Sequence, residues 1–596
     1  MTSLDPTAEL VRRNARIAAH PGLAGLPTHW QIQLTRRLIA DCKHFLLPAT
    51  VDSIVDAGIA AFRAQHVPHR VDLTASDSDL VEEAQRRAGC SALLLGACQD
   101  DVTRHAILQH TCKAADVVEP SGQNLAAQVK RLCCPQWWRR QLRRQQARAL
   151  ENGNVRLHYV HAKRDPYASR EALLRCLRQE QRNRLWMENT VLENDQGDRF
   201  TLQELAEKST SNKAVRRAEL MTRIRGMEDY AATHGDMALF ATITCPSAYH
   251  ATLRATGQRN PAYAGYTPRQ AQDYLCQVWS RIRAQLERTG IAVYGLRVAE
   301  PHHDGCPHWH LIMFVPPQHV AQLQAIVRHY ALAAYPDEAG AEKNRCHFVP
   351  IAADKGSATG YVAKYIAKNI DGYQLETDIT GEPAITASLH VVAWAKTHGI
   401  RQFQAFGAGS VMVWRELRRI PKAAIADAPD YLQSAWQAAQ KTFSAGGEAE
   451  QRADYAAYLS ALGGVALPRK EARLRLAKLH DDSLGKYGEA LGERPIGVIA
   501  SEAPCKVYES TRYIWSRVET KGSHNQTKSN AEAGADAHIA TDGTAQAQVV
   551  LAKSRFALPW TRVNNCTPTG EEETRPSSFW MYPLFHQSGV SERRHC

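Results

Sequence analysis

A β-hairpin predicted at residues 291–315 constrains the fold of this chain more than any other segment. Two runs rich in β-branched and aromatic residues, Ile291–Glu300 and Trp309–Val315, flank a short loop, Pro301–Pro307, that contains Gly305. Runs of this composition joined by a short glycine-containing loop are typical of two antiparallel strands. The chain must therefore build a sheet with antiparallel strands here, and neighbouring segments must pack around it.

The segments on both sides of the hairpin alternate between strand and helix patterns. Further strands are predicted at residues 238–244 and 346–351, and helices at residues 268–289, 318–335 and 358–370. The first of these helices has the clearest boundaries, because Thr267 and Gln270 can form a capping box and Pro268 occupies the first helical position. Together the segments predict an α+β fold that is large enough for one domain.

Histidines are concentrated at the turn of the hairpin: four lie between residues 302 and 310. On a strand, His308 and His310 point to the same face, and Glu300 at the end of the preceding strand falls roughly opposite His308. Two imidazoles and a carboxylate oxygen can share a divalent ion. A His-x-His pair is expected roughly once by chance in such a chain, so surface histidines beside a turn are the alternative. The hairpin context favours the metal site.

A pair of tyrosines follows the histidines by about fifty residues. If residues 358–370 are helical, Tyr361 and Tyr365 lie one turn apart on the same face, and Lys364 and Lys368 lie along the neighbouring stripe. A phenol has a pKa of about 10, so it attacks a phosphate at neutral pH only with help from a metal ion, a base or cations. The alternative is a helix whose tyrosines pack in a core.

A basic helix is predicted from Pro135 onward, with Arg140, Arg144 and Arg148 spaced four residues apart on one face. Such a face can neutralise DNA phosphates, and Trp137 and Trp138 could stack on unpaired bases. The alternative is a surface helix that the two tryptophans anchor to a core. A second basic helix is predicted at residues 214–230. Its pattern indicates an amphipathic helix, and a DNA contact is the secondary interpretation.

The composition points to an anionic partner and to no membrane. The net charge is +12, which favours nucleic acid, an acidic surface or an acidic protein, although solubility alone is an alternative. No apolar run approaches the roughly 18 residues of a membrane span, and the amino terminus lacks a signal-peptide pattern. The 14 cysteines contain no CxxC pair, so we expect reduced cysteines in a soluble intracellular protein.

In their order, the strand at 239–244, the His308-Trp309-His310 triplet and the tyrosines Tyr361 and Tyr365 resemble the three motifs of the two-tyrosine HUH endonucleases. More narrowly, five blocks are similar to the bacteriophage replication gene A proteins. These blocks are residues 242–247, 300–310, 397–404, 413–417 and 559–565.

The resemblance implies an antiparallel sheet with the histidines on a central strand and the tyrosine helix packed nearby. It implies a Mg²⁺ or Mn²⁺ ion held by His308, His310 and a third ligand, for which His302 and Asp304 compete with Glu300. It also implies origin nicking through a 5′-phosphotyrosine intermediate, which leaves a 3′-hydroxyl primer and is followed by rejoining of the displaced strand. The partners would be single-stranded or supercoiled origin DNA, in the cytoplasm of a bacterial host.

Other functions fit the sequence less well. Conjugative relaxases place the tyrosine before the histidines, whereas two-tyrosine transposases have the same order as this chain and are the nearest enzymatic alternative. A DNA-binding protein with a structural zinc ion would leave the tyrosines without a role. No phosphate-binding loop of the Gly-x-x-x-x-Gly-Lys-Ser/Thr type is present, so we expect a host helicase and DNA polymerase to act with the protein.

The predicted division of the chain places the endonuclease domain between largely helical terminal regions. The divisions are residues 1–130 of unknown role, 131–235 as a basic helical region, 236–375 as the catalytic domain, 376–520 as a helical region, 521–552 as a linker and 553–596 as a tail.

Overall fold

A computed structural model of the chain describes residues 6–45, 47–67, 72–351, 357–373, 383–443, 449–468 and 470–518. The predicted linker at 521–552, the tail at 553–596 and the block at 559–565 lie outside the described residues. Within the described residues, no helix is both long enough and apolar enough to cross a membrane.

The amino-terminal part is helical, as predicted. Its helices are α1 (Pro6–Ala18), α2 (Thr28–Asp41), α3 (Pro48–His66), α4 (Asp77–Gly96), α5 (Asp101–Ala115), α6 (Leu125–Leu132), α7 (Pro135–Arg156) and α8 (Arg170–Glu188). Two short strands, β1 (Val191–Asn194) and β2 (Arg199–Thr201), and two helices, α9 (Leu202–Glu207) and α10 (Lys213–His234), follow. Helix α7 contributes to two hydrophobic cores. Leu150 lies in the core that contains Trp30 of α2, and Trp138 lies in the core that contains Leu108 of α5.

The middle of the chain forms a five-stranded sheet with helices on both faces. In order, its elements are β3 (Met237–Thr244), α11 (Pro268–Arg288), β4 (Tyr294–Pro301), β5 (Pro307–Val315), α12 (Val320–Leu332), α13 (Ala341–Arg345), β6 (Cys346–Pro350), α14 (Ala358–Ile370), α15 (Ala384–His398) and β7 (Phe403–Phe406). The predicted strands and helices of this region are all present, and the capping box of Thr267 with Gln270 forms.

The sheet has the order β6-β3-β5-β4-β7, and every pairing is antiparallel. Strand β5 is therefore central, as the resemblance implies. The last strand, β7, comes from residues beyond the predicted boundary at 375. The edge strand next to β4 thus comes from a segment that the sequence analysis assigned to the helical region at 376–520.

Alternation along the strands separates two cores. Phe240 and Ile312 face one side with the apolar residues of α10 and α14, whereas Trp309 and Leu311 face the other side with those of α11 and α12. This arrangement is the expected result of a two-residue side-chain period in a sheet covered on both faces. His310 stands on the face of the sheet that carries Phe240, where the two rings stack.

The carboxy-terminal part is only partly helical, so the prediction of a helical region at 376–520 is wrong for its second half. The elements are α16 (Val411–Leu417), α17 (Asp430–Ala439), β8 (Thr442–Phe443), β9 (Ala449–Gln451), α18 (Tyr455–Ala461), β10 (Leu474–Leu484), β11 (Ala490–Ala500), β12 (Ala503–Glu509) and β13 (Trp515–Arg517). Residues 474–479 are rich in helix-forming residues, but pairing of β10 with β11 overrides that local preference.

Candidate metal and tyrosine site

The hairpin places three candidate ligands on one face of the sheet. Strand β5 carries His308 and His310, and β4 carries Glu300, which is the register partner of His308. All three side chains are buried. The alternation predicted from the sequence therefore brings Glu300, His308 and His310 together.

The donor atoms of these residues converge. The Nε2 atoms of His308 and His310 are 2.9 Å apart, and Oε2 of Glu300 is 3.8 Å from Nε2 of His310. One ligand atom from each of the three residues lies within 4.8 Å of the others, which makes this group able to hold a metal ion.

The two competitors for the third position have other surroundings. The ring of His302 stacks on that of His308, with centroids 4.0 Å apart, and the carboxylate of Asp304 contacts Nδ1 of His250 at 3.1 Å. Among the described residues, neither joins the group of converging ligand atoms. The structure therefore favours Glu300 as the third member.

Burial sets the charge of the site. It lowers the pKa of His310 to about 3 and holds the pKa of His308 well below its ordinary value, and nearby cations and imidazoles act in the same direction. Both rings are therefore neutral at pH 7. Burial raises the pKa of Glu300, and the ammonium of Lys368 opposes this shift in part.

These properties fit a divalent cation. Neutral imidazoles present lone pairs, and a buried carboxylate gains most from a nearby positive charge. Two Nε2 atoms that face each other can share only one proton, so the site has spare acceptor capacity. Thr242 on β3 lies 3.0 Å from Nδ1 of His310; an Nδ1–H that donates to this hydroxyl leaves the lone pair of Nε2 directed at the site.

Helix α14 carries the tyrosines and is fixed to α10 at both ends. At its start, the carboxylate of Glu228 accepts hydrogen bonds from the backbone N–H groups of Ala358 and Thr359. At its end, Asp371 pairs with Arg217. The negative charge at the first turn and the ion pair at the last fix both the position and the rotation of the helix.

Both tyrosines point toward the histidine face of the sheet. The ring centroid of Tyr365 is 4.2 Å from that of His310, and the two tyrosine centroids are 6.3 Å apart. Phe240 contacts both rings. The prediction that both tyrosines lie on one face of this helix is confirmed. Burial, with contributions from Tyr361 and Glu300, raises the pKa of the Tyr365 phenol.

The two lysines of the helix have different surroundings. The Nζ atom of Lys364 lies 4.8 Å from the ring centroid of Tyr361 and 4.9 Å from that of Tyr365. The Nζ atom of Lys368 instead lies 3.5 Å from Oε2 of Glu300. Lys364 is exposed beside the tyrosines, whereas Lys368 pairs with the candidate ligand Glu300.

Sequence reasoning did not identify Asn369 and Gln402 as site residues. The Nδ2 atom of Asn369 donates to Oε1 of Glu300, and Oδ1 accepts a hydrogen bond from Nε2 of Gln402 at 2.9 Å. A signal was present, because Asn369 directly follows Lys368 and Gln402 lies within the gene-A-like block at 397–404.

The arginines predicted to bind DNA do not form a uniform free face on α7. Arg140 and Arg144 are exposed, and Arg140 donates to the hydroxyl of Tyr487 at 3.3 Å. The guanidinium of Arg148 donates to the carbonyls of Thr397 and His398, both at 3.2 Å. Arg148 thus joins α7 to the end of α15.

The two tryptophans of α7 are part of the core. Trp138 is 1% exposed and donates to the carbonyl of Leu132, and Trp137 is 6% exposed. Stacking of these rings on DNA bases is therefore wrong for this conformation, and the anchoring alternative is correct.

Comparisons with known proteins give a matching family model. The model of the family described as "Bacteriophage replication gene A protein (GPA)" matches residues 95–373, which contain the three ligand candidates and both tyrosines. No solved structure matches the chain significantly.

Curated relatives extend the similarity beyond that region. The chain is 35% identical over 463 residues to the replication gene A protein of Escherichia phage P2, covering 75% of this chain and 56% of the relative. It is 40% identical over 371 residues to the replication gene A protein of Escherichia phage 186, covering 61% and 52%.

A third relative is bacterial. The chain is 33% identical over 442 residues to a probable replication endonuclease from a prophage-like region of Salmonella typhimurium, covering 74% of this chain and 51% of the relative. The chain thus spans about half the length of the curated relatives it matches. On these matches, the chain belongs, through residues 95–373, to the bacteriophage replication gene A protein family.

Proposed function

We propose that this protein initiates rolling-circle DNA replication as a site- and strand-specific single-strand endonuclease with a tyrosine nucleophile. The observation that carries the proposal is the contact of Tyr365 with His310, at 4.2 Å between ring centroids, beside a buried Glu/His/His group. A nucleophile next to a candidate metal site is an arrangement that can carry out phosphodiester transesterification.

In the proposed reaction, the phenolic oxygen of a tyrosine attacks the scissile phosphorus. A bond forms between the phenolic oxygen and the phosphorus, which stays on the 5′ end of one strand segment. The bond between the phosphorus and the 3′ oxygen of the other segment breaks. The leaving 3′ oxygen takes up a proton, which yields the 3′-hydroxyl that primes synthesis, while the phenol has lost one.

Residues of the chain supply the surroundings for this attack. A Mg²⁺ or Mn²⁺ ion held by Glu300, His308 and His310 would neutralise charge on the non-bridging phosphate oxygens. Because burial raises the pKa of Tyr365, a positive charge nearby would favour the phenolate and help this phenol to react at neutral pH. Lys364 is placed to supply one beside both tyrosines.

Two tyrosines on one face allow two successive cleavages. One turn of helix corresponds to about 5.4 Å along the axis, so either phenol can reach one phosphate with a small shift. While the first tyrosine holds the 5′ end, the second cleaves the regenerated origin. The released 3′-hydroxyl then attacks the first phosphotyrosine, and the strand is rejoined without ATP because the phosphodiester energy is conserved.

The names of the relatives support DNA as the substrate: two are replication gene A proteins of phages and one is a probable replication endonuclease. We propose origin DNA, single-stranded or supercoiled, as the partner in the cytoplasm of a bacterial host. A host helicase and DNA polymerase would unwind and extend the nicked strand.

The test is formation of a covalent protein–DNA adduct on labelled single-stranded origin candidates with Mg²⁺ or Mn²⁺. Tyr361→Phe and Tyr365→Phe should each leave some cleavage of a simple oligonucleotide but impair complete rounds of replication. The double variant should form no adduct, because both nucleophiles are gone.

The control is Tyr249→Phe, which removes a phenol that stacks on Tyr266 at the other side of the sheet. It should leave adduct formation unchanged. An adduct in the double Phe variant would place the nucleophile elsewhere and overturn the proposal.

A further inference from the structure

A buried amide connects the candidate metal site to the tyrosine helix. Asn369 lies on α14 one turn after Tyr365, and its side chain is 1% exposed. A polar group at this depth is costly unless its hydrogen-bonding capacity is used. The partners of Asn369 therefore indicate what the residue does.

The side-chain hydrogen bonds of Asn369 join it to Glu300, Tyr365 and Gln402. The Nδ2 atom donates to Oε1 of Glu300 and, at 2.7 Å, to the carbonyl of Tyr365. The Oδ1 atom accepts from Nε2 of Gln402 at 2.9 Å. The backbone of Gln402 is itself bonded to the sheet, because its main-chain carbonyl accepts from the N–H of Ala299 at 2.7 Å.

The hydrogen-bond partners of Asn369 determine which way its amide faces. The two ends of an asparagine amide are nearly equal in size, so only the partners can choose between its two orientations. The main-chain carbonyl of Tyr365 and the carboxylate of Glu300 are acceptors, so they select the Nδ2 end, and Oδ1 faces the Nε2 donor of Gln402. In the opposite orientation, Oδ1 would face the carboxylate of Glu300, and two acceptors would be in contact.

The two carboxylate oxygens of Glu300 therefore have different partners. Oε1 is occupied by Asn369, whereas Oε2 is the oxygen nearest to Nε2 of His310, at 3.8 Å, and to Nζ of Lys368, at 3.5 Å. The carboxylate is thus held with one oxygen directed at the histidines.

We infer that Asn369 and Gln402 are positioning residues, which hold the Glu300 carboxylate in the orientation needed to bind a divalent ion and thereby link that ion to the tyrosine helix. This inference rests on the proposed metal site. Partners of ligands typically change metal affinity about 10- to 100-fold when they are removed.

The experiment measures Mn²⁺ affinity of the full chain by calorimetry or by the electron paramagnetic resonance of free Mn²⁺. Asn369→Ala and Gln402→Ala should each weaken binding by about 10-fold or more. The matched control is Gln272→Ala, a buried amide that accepts from Nε1 of Trp309 on the opposite face of β5. The control should bind Mn²⁺ like the parent protein.

A double-mutant cycle separates positioning from a general loss of structure. If Asn369 acts through Glu300, then Asn369→Ala should have no further effect on Mn²⁺ affinity in a Glu300→Gln background. Equal losses in both backgrounds, or an equal loss in Gln272→Ala, would overturn the inference. Thermal unfolding of each variant identifies any that does not fold, and the Gln402 variant then supplies the second cycle.

The same measurements distinguish the inference from the proposal on which it rests. If the parent protein binds no Mn²⁺ and Glu300→Gln changes nothing, the metal site itself is wrong. If the parent binds Mn²⁺, Glu300→Gln weakens binding and Asn369→Ala does not, then only the positioning role is wrong.

Discussion

Buried histidines dominate the chemistry of this protein at the scale of single residues. Those of the candidate metal site are neutral because they are removed from water, and His398 at the end of α15 shares this property without belonging to the site. Its two ring nitrogens have no hydrogen-bond partner among the described residues. Neutrality thus leaves nitrogen lone pairs that could bind a metal ion in one place and is only a cost of packing in the other.

At the site, His308→Ala and His310→Ala should each lower nicking by orders of magnitude while DNA affinity changes little. The reason is that the ion would act on charge that develops during the attack, whereas binding depends on many phosphate contacts. Nicking rates and DNA affinity are measured for the same preparations with saturating Mg²⁺. Normal nicking in either variant would contradict the assignment.

At His398, we expect a measurable acid sensitivity of folding. Burial, together with Arg148 and Arg269, lowers the pKa of His398 to about 3, whereas the unfolded chain has an ordinary value of about 6.5. Between these values the unfolded state binds more protons, so stability falls as the pH falls, by up to about 1.4 kcal/mol per pH unit.

The variant His398→Leu should lose this contribution and show a flatter dependence of urea unfolding on pH between about 6.5 and 4. The exposed His105 on α5 provides the control, because His105→Leu should keep the parent slope. An unchanged slope in His398→Leu would show that His398 does not titrate as described.

At the scale of elements, close approaches decide which helices can touch. Gly153 on α7 faces the indole of Trp30 on α2, and a Cβ atom added there would overlap that ring. Trp30 is fully buried, and its Nε1 donates to Oδ1 of Asn154 at 2.8 Å. The glycine is what permits α2 to pack against α7.

Gly153→Ala should therefore destabilise the protein by about 1–3 kcal/mol, although alanine is the better helix former. Gly89→Ala on α4 is the matched control, because a Cβ atom there meets nothing within 4 Å. The control should stabilise the protein by roughly 0.5–1 kcal/mol. Chemical denaturation of both variants checks the opposite signs, and a stabilised Gly153→Ala would contradict the packing.

At the scale of the whole molecule, the charge of +12 predicts that affinity for DNA falls as the salt concentration rises. The structure changes which arginines of α7 we expect to contribute. Arg140 and Arg144 are exposed, whereas Arg148 is bonded to backbone carbonyls of another helix. The face predicted from spacing alone is therefore divided between a surface part and a structural part.

The double variant Arg140→Gln/Arg144→Gln should flatten the salt dependence of DNA binding by up to about two counterions. It should change the melting temperature little, because the hydrogen bond from Arg140 to Tyr487 is exposed. Arg148→Gln should instead lower the melting temperature, because two carbonyls lose their donor. Affinity is measured between low and moderate salt. An unchanged slope in the double variant would remove α7 from the DNA-binding surface.

The parts of this protein that could be predicted from the sequence are those that local backbone geometry controls. The two-residue period of a strand puts His308 and His310 on one face, the short turn sets Glu300 opposite His308, and the helical period puts Tyr361 and Tyr365 together. Each of these relations follows from neighbours in the chain, so no knowledge of the remaining fold is needed.

Contacts between distant segments decided the rest. Only the packed structure pairs Lys368 with Glu300, buries Trp138, and converts residues 474–484 into a strand against β11. The same holds for the bond from Gln402 to Asn369, which joins segments 33 residues apart. The free energies that select these arrangements come from burial and from hydrogen bonds formed across the fold, and a local sequence pattern carries no information about either partner's position.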